Sequence, residues 1–262
     1  MPELPEVEAR LIYLRNTALN QPIQKVIVTE PRIIKAPAPA LFRRRLKGKR
    51  MTAANRRGKY LVVSLDDGWS LILHFTMGGD LVYLDSSTPS PRFTRIEFVF
   101  VSGSRLAFTC PRNICRVMLV DSVSKIPGLR DMGPEPLGSG FRASDLKALL
   151  ARSRYRRIKA LLLDQKSVAG IGNIYADEIL YEAEIHPSRP SSTLDDGETG
   201  RLYRAIRKIL RAALKTGGDE EFPVHFLISL DARDAGCARC ASPIQRTRIA
   251  GRTTRFCSGC QK

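Results

Sequence analysis

The chain changes from short β-rich runs in its first half to helical periodicity in its second half. The runs of the first half end at turn-forming pairs such as Asp67-Gly68 and Ser102-Gly103. Such runs indicate β-strands, and several of them in series favour an antiparallel sandwich or barrel. The predicted strands are 26–29, 60–65, 70–75, 81–84, 93–101, 106–109 and 117–120.

The predicted helices lie before and after these strands. Segment 6–16 fits one amphipathic helix by the spacing of its apolar residues, Val7, Leu11, Ile12 and Leu14. Segment 37–40 (PAPA) is predicted to be a loop. Beyond residue 140 the same periodicity predicts four helices, the first of them capped by Ser144. These helices are 145–152, 155–164, 173–184 and 198–215.

These changes of pattern divide the chain into three predicted domains. A boundary follows the last strand near 125–130, and the proline-rich turn MGPEPL (132–137) comes next. A small cysteine module forms the tail. We therefore expect an α+β multidomain protein with domains at 1–130, 131–232 and 233–262.

The charge of the chain points to a polyanionic partner. Among its 262 residues, Lys and Arg total 43 and Asp and Glu total 26, a formal net charge of +17. Nucleic acid is favoured, because each phosphate that a cation neutralises releases condensed counterions. An anionic membrane is the rival, but no long apolar run or signal-peptide pattern is visible. We expect a cytoplasmic protein that binds no membrane.

The tail contains two CxxC pairs with the spacing of a zinc site. The pattern C-x2-C-x16-C-x2-C offers four thiolates to one tetrahedral ion, and the sixteen residues between the pairs suit a β-hairpin. The predicted structural ligands of Zn²⁺ are Cys237, Cys240, Cys257 and Cys260. The hairpin also carries arginines, 246, 248, 252 and 255, which suit contact with phosphates. Cys110 and Cys115 match no metal spacing and are predicted to be buried core thiols.

The first residues, MPELPEVE, contain a candidate nucleophile. Removal of Met1 would leave Pro2 with a free secondary amine, and Glu3 places a carboxylate beside it. An amine of this kind can form covalent Schiff-base intermediates. The structural alternative is that Pro2 and the glutamates merely begin a helix, since proline and acidic residues both suit a first helical turn.

A glycine-rich turn precedes the predicted helix at 173. Gly170 and Gly172 lead directly into Asn173 in KSVAGIGNIY (166–175). A turn of this kind exposes backbone N–H groups at the positive end of the helix dipole, which favours a phosphate. No P-loop lysine follows, and no βαβ unit supports a dinucleotide fingerprint. A tight helix–helix turn is the structural alternative.

Several motifs together resemble one family. They are PELPEVE (2–8), HFTMGG (74–79), MGPEPL (132–137) and GIGNIYADEILYEAEIHP (170–187), with Gly251-Arg252 between the CxxC pairs. In this order they resemble the formamidopyrimidine-DNA glycosylase / endonuclease VIII family. The resemblance implies an N-terminal catalytic β-sandwich, a helix–two-turn–helix domain and a C-terminal zinc finger. It also implies a monomer that binds damaged double-stranded DNA, excises oxidised bases and then cleaves the strand.

The resemblance assigns catalytic roles to four residues. Pro2 matches the nucleophile that attacks C1′ of the damaged nucleotide. Glu3 matches the proton shuttle for base release and sugar ring opening, and Glu6 matches a further active-site acid. Lys59 matches a lysine that binds the phosphate near the lesion.

It also assigns DNA-binding roles. Gly172 and Asn173 match the turn that grips phosphate, and Arg252 matches the arginine of the finger. Lys159 matches a basic helix position near the DNA groove. A flipped base leaves a vacated space in the duplex. The residues at the positions that fill it, hereafter the space-filling residues, are Met77, Arg112 and Ile114.

Some positions depart from the family pattern. Ile114 stands where an aromatic residue is usual, Cys110 stands where an acid is usual, and Thr76 and Gly79 alter the loop around Met77. Segment 217–236 lacks the usual residues that cap an extruded 8-oxoguanine. The lesion therefore stays open among 8-oxoguanine, ring-opened purines, hydantoins and oxidised pyrimidines.

Two other functions compete with the glycosylase/lyase hypothesis. A non-catalytic or structure-specific DNA-binding homologue would explain the altered space-filling and capping segments, but not the intact Pro2 and Glu3. A zinc-ribbon RNA-binding module would explain the charge and the cysteines, but it gives the N-terminal motif no purpose.

Overall fold

The computed structural model describes residues 1–153, 155–217, 222–233 and 235–262. Within these residues the chain divides into two compact units. The first consists of Met1–Pro2 and Glu6–Arg130, and the second consists of Glu3–Pro5 and Asp131–Lys262. Glu3 therefore belongs to the unit that contains the predicted helices and the cysteine module.

The first unit is a β-sandwich with one α-helix before its strands, one between its second and third strands, and one after its last strand. Its elements are α1 (Leu4–Thr17), β1 (Ile23–Val28), β2 (Ile34–Ala36), α2 (Pro39–Leu46), β3 (Met51–Arg57), β4 (Tyr60–Leu65), β5 (Ser70–His74), β6 (Asp80–Leu84), β7 (Thr94–Phe100), β8 (Arg105–Thr109), β9 (Arg116–Val120) and α3 (Pro127–Arg130). One sheet has the order β1-β7-β8-β6 and the other the order β2-β9-β5-β4-β3. Every pair of neighbouring strands is antiparallel except β2 and β9.

One apolar core joins the two sheets. It includes Leu73 and Val117 from the five-stranded sheet and Phe98 and Phe108 from the four-stranded sheet. Along α1, Val7, Leu11 and Leu14 are buried in the same core because their spacing places them on one helix face. The predicted sandwich is confirmed.

In the first unit two predictions were wrong, and strands β2 and β3 were not predicted. Ile12 is not on the buried face of α1 but 52% exposed. The predicted loop at 37–40 contains the start of α2, which begins with Pro39 in its first turn and buries Phe42 and Leu46. Strand β3 was missed because its register shifts between Met51 and Ala53, so its buried residues do not alternate with period two.

The second unit is helical and ends in a hairpin. Its elements are α4 (Ala143–Arg152), α5 (Ile158–Leu163), α6 (Asn173–Glu182), α7 (Asp196–Lys215), α8 (Leu227–Ala232), β10 (Ile244–Ile249) and β11 (Arg252–Cys257). A shared core holds Leu149 of α4, Leu162 of α5, Ile179 of α6 and Ile206 of α7. Leu4 belongs to this core as well.

The ends of these helices differ from the prediction in detail. Helix α4 begins at Ala143, so Ser144 is not its cap; the Asp145 carboxylate accepts the N–H of Arg142 at 2.8 Å instead. Helix α8 lies in segment 217–236 and was not predicted. Positions 218–221 and 234 of that segment lie outside the described residues, so the predicted lack of a base-capping loop is not tested there.

In the stretches that the structure describes, we find no helix with both the length and the apolar character needed to span a bilayer.

Candidate active site and nucleic-acid interface

The carboxylate of Glu3 lies at the N-terminus of α6. It accepts the backbone N–H groups of Gly172 at 2.6 Å, Ile174 at 3.0 Å and Tyr175 at 3.4 Å. The first N–H groups of a helix have no partner within the helix, and the positive end of its dipole stabilises a negative charge. Glu3, which is 3% exposed, is therefore held rigidly, because three main-chain donors surround one carboxylate.

Gly172 makes this position of Glu3 possible. A Cβ atom on Gly172 would lie 2.7 Å from Cγ of Glu3 and closer still to the carboxyl group. Sequence reasoning assigned the exposed N–H groups of this turn to a phosphate. In the structure three N–H groups of this turn instead bind the protein's own Glu3 carboxylate. The side-chain amide of Asn173 does not take part in these hydrogen bonds and makes other contacts.

Pro2 precedes this fixed carboxylate directly. Its side chain is half-buried, whereas Met1 is 49% exposed. Glu6 lies in the first turn of α1, and its carbonyl oxygen accepts Nη1 of Arg10 at 2.9 Å. Of the predicted catalytic residues, Pro2 and Glu3 therefore lie just before α1 and Glu6 lies in its first turn.

Lys59 lies in the turn between β3 and β4 and is 6% exposed. Its charge acts on His74 of the neighbouring strand β5. Burial, the charge of Arg116 and the charge of Lys59 together lower the pKa of His74 to about 4. The imidazole is therefore neutral at neutral pH, and this cluster carries the charges of Lys59 and Arg116.

The space-filling residues lie on two loops of the first unit. Met77 is on the β5–β6 loop, and Arg112 and Ile114 are on the β8–β9 loop. Met77 is 41% exposed, Ile114 is 43% exposed, and Nη1 of Arg112 lies 3.4 Å from Sδ of Met77. The structure therefore brings Arg112 into contact with Met77, from which 35 positions separate it in the sequence.

The cysteines of the β8–β9 loop are not free thiols. Cys110 and Cys115 are both buried, as predicted, but they form a disulfide. The prediction failed because a spacing of five residues does not show whether two Cβ atoms face each other.

Lys159 is fully buried rather than exposed in a groove. Its Nζ lies 2.6 Å from Oδ1 of Asp177 and donates to Oγ1 of Thr254 at 2.8 Å. Asn173 donates from Nδ2 to the carbonyl oxygen of Thr253 at 2.9 Å. Both predicted DNA-binding residues therefore support strand β11.

Arg252 begins that strand and is exposed. Two other arginines of the hairpin, Arg246 and Arg255, were expected to face phosphates, but both bind the Asp231 carboxylate of α8. Asp177 and Asp231 are thus supporting residues that sequence reasoning missed. No local pattern in the sequence indicates either acid, because their cationic partners lie on other elements.

The four cysteines of the tail form one cluster. All four Sγ atoms lie within 4.8 Å of one another, with Cys237–Cys260 at 3.6 Å and Cys240–Cys257 at 3.5 Å. A zinc ion bound at the usual Zn–S distance of about 2.3 Å would separate tetrahedral sulfurs by roughly 3.8 Å. The cluster can bind a metal ion, and its size and its thiol ligands fit zinc.

A second layer holds the cluster against α6. The hydroxyl of Tyr181 lies 3.1 Å from Sγ of Cys237. Arg239, between the first two cysteines, stacks 4.4 Å from the centre of the Tyr181 ring and binds Glu182 at 2.8 Å. Such outer contacts orient metal ligands.

Comparison with known proteins identifies the family. Residues 1–117 match the model of the formamidopyrimidine-DNA glycosylase N-terminal domain, and residues 132–222 match that of the formamidopyrimidine-DNA glycosylase H2TH domain. The chain belongs to the formamidopyrimidine-DNA glycosylase family. A formamidopyrimidine-DNA glycosylase of Desulforamulus reducens is 38% identical over 276 residues, covering 100% of this chain and 99% of the relative.

Solved structures of the family have the same fold. Lactococcus lactis Fpg bound to DNA with an abasic site aligns with a TM-score of 0.89 and 30% identity, covering 99% of each chain. The wild-type enzyme of the same organism bound to DNA containing N7-benzyl-Fapy-dG aligns with a TM-score of 0.89 and 31% identity over 100% of each chain. The predicted family, fold class and enzyme class, a DNA glycosylase of base-excision repair, are confirmed.

Proposed function

We propose that this protein excises damaged bases from double-stranded DNA and cleaves the strand at the resulting site, with Pro2 as the nucleophile. The observation that carries this proposal is the fixed carboxylate of Glu3, the residue that follows Pro2, which accepts three N–H groups at the start of α6. A carboxylate held beside a terminal amine is the pairing that imine chemistry needs.

The reaction begins after removal of Met1, because the amide nitrogen of a peptide-bonded proline is not nucleophilic. The lone pair of the Pro2 nitrogen attacks C1′, the bond from C1′ to the base breaks, and the base leaves with that electron pair and a proton. Glu3 moves the protons of base release and sugar ring opening. The product is an iminium between Pro2 and the sugar.

The iminium then makes strand cleavage possible. It acidifies the C2′ proton, whose loss expels the phosphate at C3′ by β-elimination. A second elimination expels the phosphate at C5′. Neither elimination consumes water.

Two cations and one amide would hold the DNA. We assign phosphate contacts to Lys59, Asn173 and Arg252, and an indirect role to Lys159 through Thr254 of strand β11. Met77, Arg112 and Ile114 would occupy the space that a flipped base leaves. The net charge of +17 supports the affinity of the whole surface for phosphates.

One zinc ion would be bound by Cys237, Cys240, Cys257 and Cys260. Its role is structural, because four thiolates leave no open position for chemistry. The ion would stabilise the hairpin that presents Arg252.

The type of damaged base that the protein removes is the most specific part of the proposal. The curated relative is a formamidopyrimidine-DNA glycosylase, and a wild-type enzyme of 31% identity has been solved with a ring-opened purine in its DNA. A ring-opened purine is therefore the first substrate to test, ahead of 8-oxoguanine, a hydantoin and an oxidised pyrimidine.

Borohydride trapping tests the mechanism, since only an imine can be reduced to a permanent crosslink. We would compare the protein that begins at Pro2 with a protein that carries a short peptide before Pro2, and with the same extended protein after proteolytic release of Pro2. We expect crosslinks to lesion-containing and abasic duplexes from the first and third proteins only, with equal DNA binding by all three.

Crosslinking by the extended protein would reject Pro2 as the nucleophile. DNA binding without a crosslink from any of the three would favour the non-catalytic DNA-binding homologue.

A further inference from the structure

The Cys110–Cys115 disulfide lies at the base of the loop that presents two space-filling residues. Cys110 follows the last residue of β8, and Cys115 precedes the first residue of β9. Arg112 and Ile114 are between them and are exposed. The disulfide therefore closes this loop at both of its ends, and both sulfurs are shielded, because Cys110 and Cys115 are fully buried.

The same disulfide contacts the loop that carries Met77. Sγ of Cys115 lies 3.0 Å from the carbonyl oxygen of Phe75 and accepts the hydroxyl of Thr76 at 3.5 Å. A Cβ atom on Gly79 would lie 2.8 Å from this sulfur and 2.6 Å from the Phe75 oxygen. Only glycine leaves room for the sulfur at the end of the loop.

A third contact fixes the other end of the disulfide. The N–H of Cys110 donates to the carbonyl oxygen of Phe93 at 2.9 Å, and its own carbonyl oxygen accepts Nε of Arg95 at 3.0 Å. The backbone of Cys110 is therefore anchored to β7 and to the residue before it, whereas Cys115 is the half that touches the Met77 loop.

These contacts bring the two loops together at one sulfur. Thr76, Gly79 and Cys110 all meet Cys115, at one point between the two loops. The four residues form one packed unit.

We propose that Cys110 and Cys115 are positioning residues, whose disulfide sets the relative geometry of Met77, Arg112 and Ile114 for insertion into the duplex. This inference rests on the proposed function. Two separate sulfur atoms cannot approach as closely as two bonded ones, so loss of the bond changes the packing of Cys115 against Phe75 and Gly79. The loop carrying Met77 and the loop carrying Ile114 then lose their common support.

The presence of the bond can be measured directly. The protein is unfolded without reductant, in the presence of a chelator and an alkylating agent, and its mass is determined. The chain has six cysteines, and we expect two of them to resist alkylation until a reductant is added. Alkylation of all six before reduction would overturn the proposal.

The role of the bond is tested with Cys110→Ser, Cys115→Ser and the double variant. Borohydride trapping is timed on an abasic site in a duplex and on the same site in a single strand, which has no space to fill. For the duplex we expect each variant, including the double one, to show the same loss of rate, about tenfold. For the single strand we expect the rate of the wild-type protein.

Equal losses are the signature of one bond, because removal of either sulfur already breaks it. The proposal would be overturned by any of three results. These are a loss of rate in the double variant that equals the sum of the single losses, the same loss on the duplex and on the single strand, or no loss of rate in any variant. Serine is close to cysteine in size, and alanine variants at the same positions exclude an effect of the buried hydroxyl. Absence of trapping by the wild-type protein on either substrate would instead reject the proposed function.

Insertion itself can be followed with 2-aminopurine placed opposite a tetrahydrofuran site. Unstacking of this base raises its fluorescence. We expect the slow step of the signal to be delayed in all three variants by the factor found in trapping, while thermal unfolding is measured in parallel. An unchanged insertion signal in variants with slower trapping would contradict a positioning role.

Discussion

Nζ of Lys159 lies 2.6 Å from Oδ1 of Asp177, and the two side chains are 0% and 3% exposed. Asp177 also accepts the backbone N–H of Arg255 at 3.0 Å, and Lys159 donates to Thr254 at 2.8 Å. The pair thus joins α5 and α6 to β11. Burial raises the pKa of Asp177 to about 6, although the charge of Lys159 acts in the opposite direction.

Breaking this pair should destabilise the second unit. Asp177→Asn leaves an uncompensated buried ammonium, and such losses cost about 3–5 kcal/mol. The free energy of unfolding in urea would be compared with that of Lys147→Met, which removes the exposed pair Lys147–Asp196, 62% and 79% exposed. For that control we expect a change of about 0–1 kcal/mol. Similar small changes in the free energy of unfolding of both variants would show that the buried pair contributes no more to stability than the exposed one.

Gly172→Ala should displace Glu3. The added methyl group would overlap the Glu3 carboxyl group, so the side chain must leave the N–H groups of α6. We expect borohydride trapping to slow by at least about tenfold, since a misplaced proton-transfer group loses a large part of its effect. Gly140→Ala is the control, because no atom lies within 4 Å of the added methyl group. Normal trapping by Gly172→Ala would remove Glu3 from the reaction.

The stability of the fold should fall as the pH rises, because the buried carboxyl of Glu178 loses its proton. Burial raises the pKa of this carboxyl to about 8. The charge of Asp177 also raises this pKa, whereas the hydrogen bonds from Leu227 and Ile228 lower it. The folded protein therefore retains a proton that the unfolded chain releases above its ordinary pKa of 4.5. The stability contributed by this proton is present at low pH and is lost as the pH rises from about 4.5 to 8.

Thermal unfolding of the wild-type protein and of Glu178→Gln between these pH values measures this contribution. We expect the difference between the two melting temperatures to change with pH, in favour of the variant at the alkaline end. A difference that is constant over the whole range would mean that Glu178 does not titrate there.

Removal of zinc should unfold the hairpin and weaken DNA binding. A chelator that withdraws the ion leaves four thiolates, within 4.8 Å of one another, without a counter-charge. We expect about one zinc ion per chain by metal analysis, and parallel loss of zinc and of DNA affinity in Cys240→Ser. Cys110→Ser, which changes a cysteine outside the cluster, should retain the full zinc content. Unchanged affinity after complete zinc removal would contradict a structural role of the ion in binding.

Arg252→Ala should weaken binding to all duplexes, whatever lesion they contain. The side chain is exposed at the start of β11, and loss of one phosphate contact lowers the slope of log K against log salt by about one. Arg204→Ala, at an exposed position of α7, is the control and should leave the slope close to that of the wild-type protein. Equal slopes for wild type and Arg252→Ala would exclude a phosphate contact by Arg252.

Local patterns in the sequence were sufficient for most of the secondary structure and for the metal site. Strand β4 was predicted with its observed bounds, Tyr60–Leu65, because it is a short β-rich run that ends just before the turn-forming pair Asp67-Gly68. The four cysteines of the tail were predicted as one site because two CxxC pairs can close around one ion. In both cases the determining residues follow a local pattern, an uninterrupted strand segment or a pair of cysteines two residues apart, so that the sequence spacing already indicates which side chains can meet.

Tertiary structure alone decided the environment of the functional residues. Gly172 receives Glu3 from 169 positions away, and the burial of Lys159 depends on Thr254, 95 positions later. The bond between Cys110 and Cys115 spans only five positions, yet it depends on a turn that brings their Cβ atoms together. Periodicity describes which face of an element is apolar, but it does not specify which polar group of another element meets it. Hydrogen-bond and charge partners are determined only when the elements pack, because only then does burial give an unpaired polar or charged group a free-energy cost.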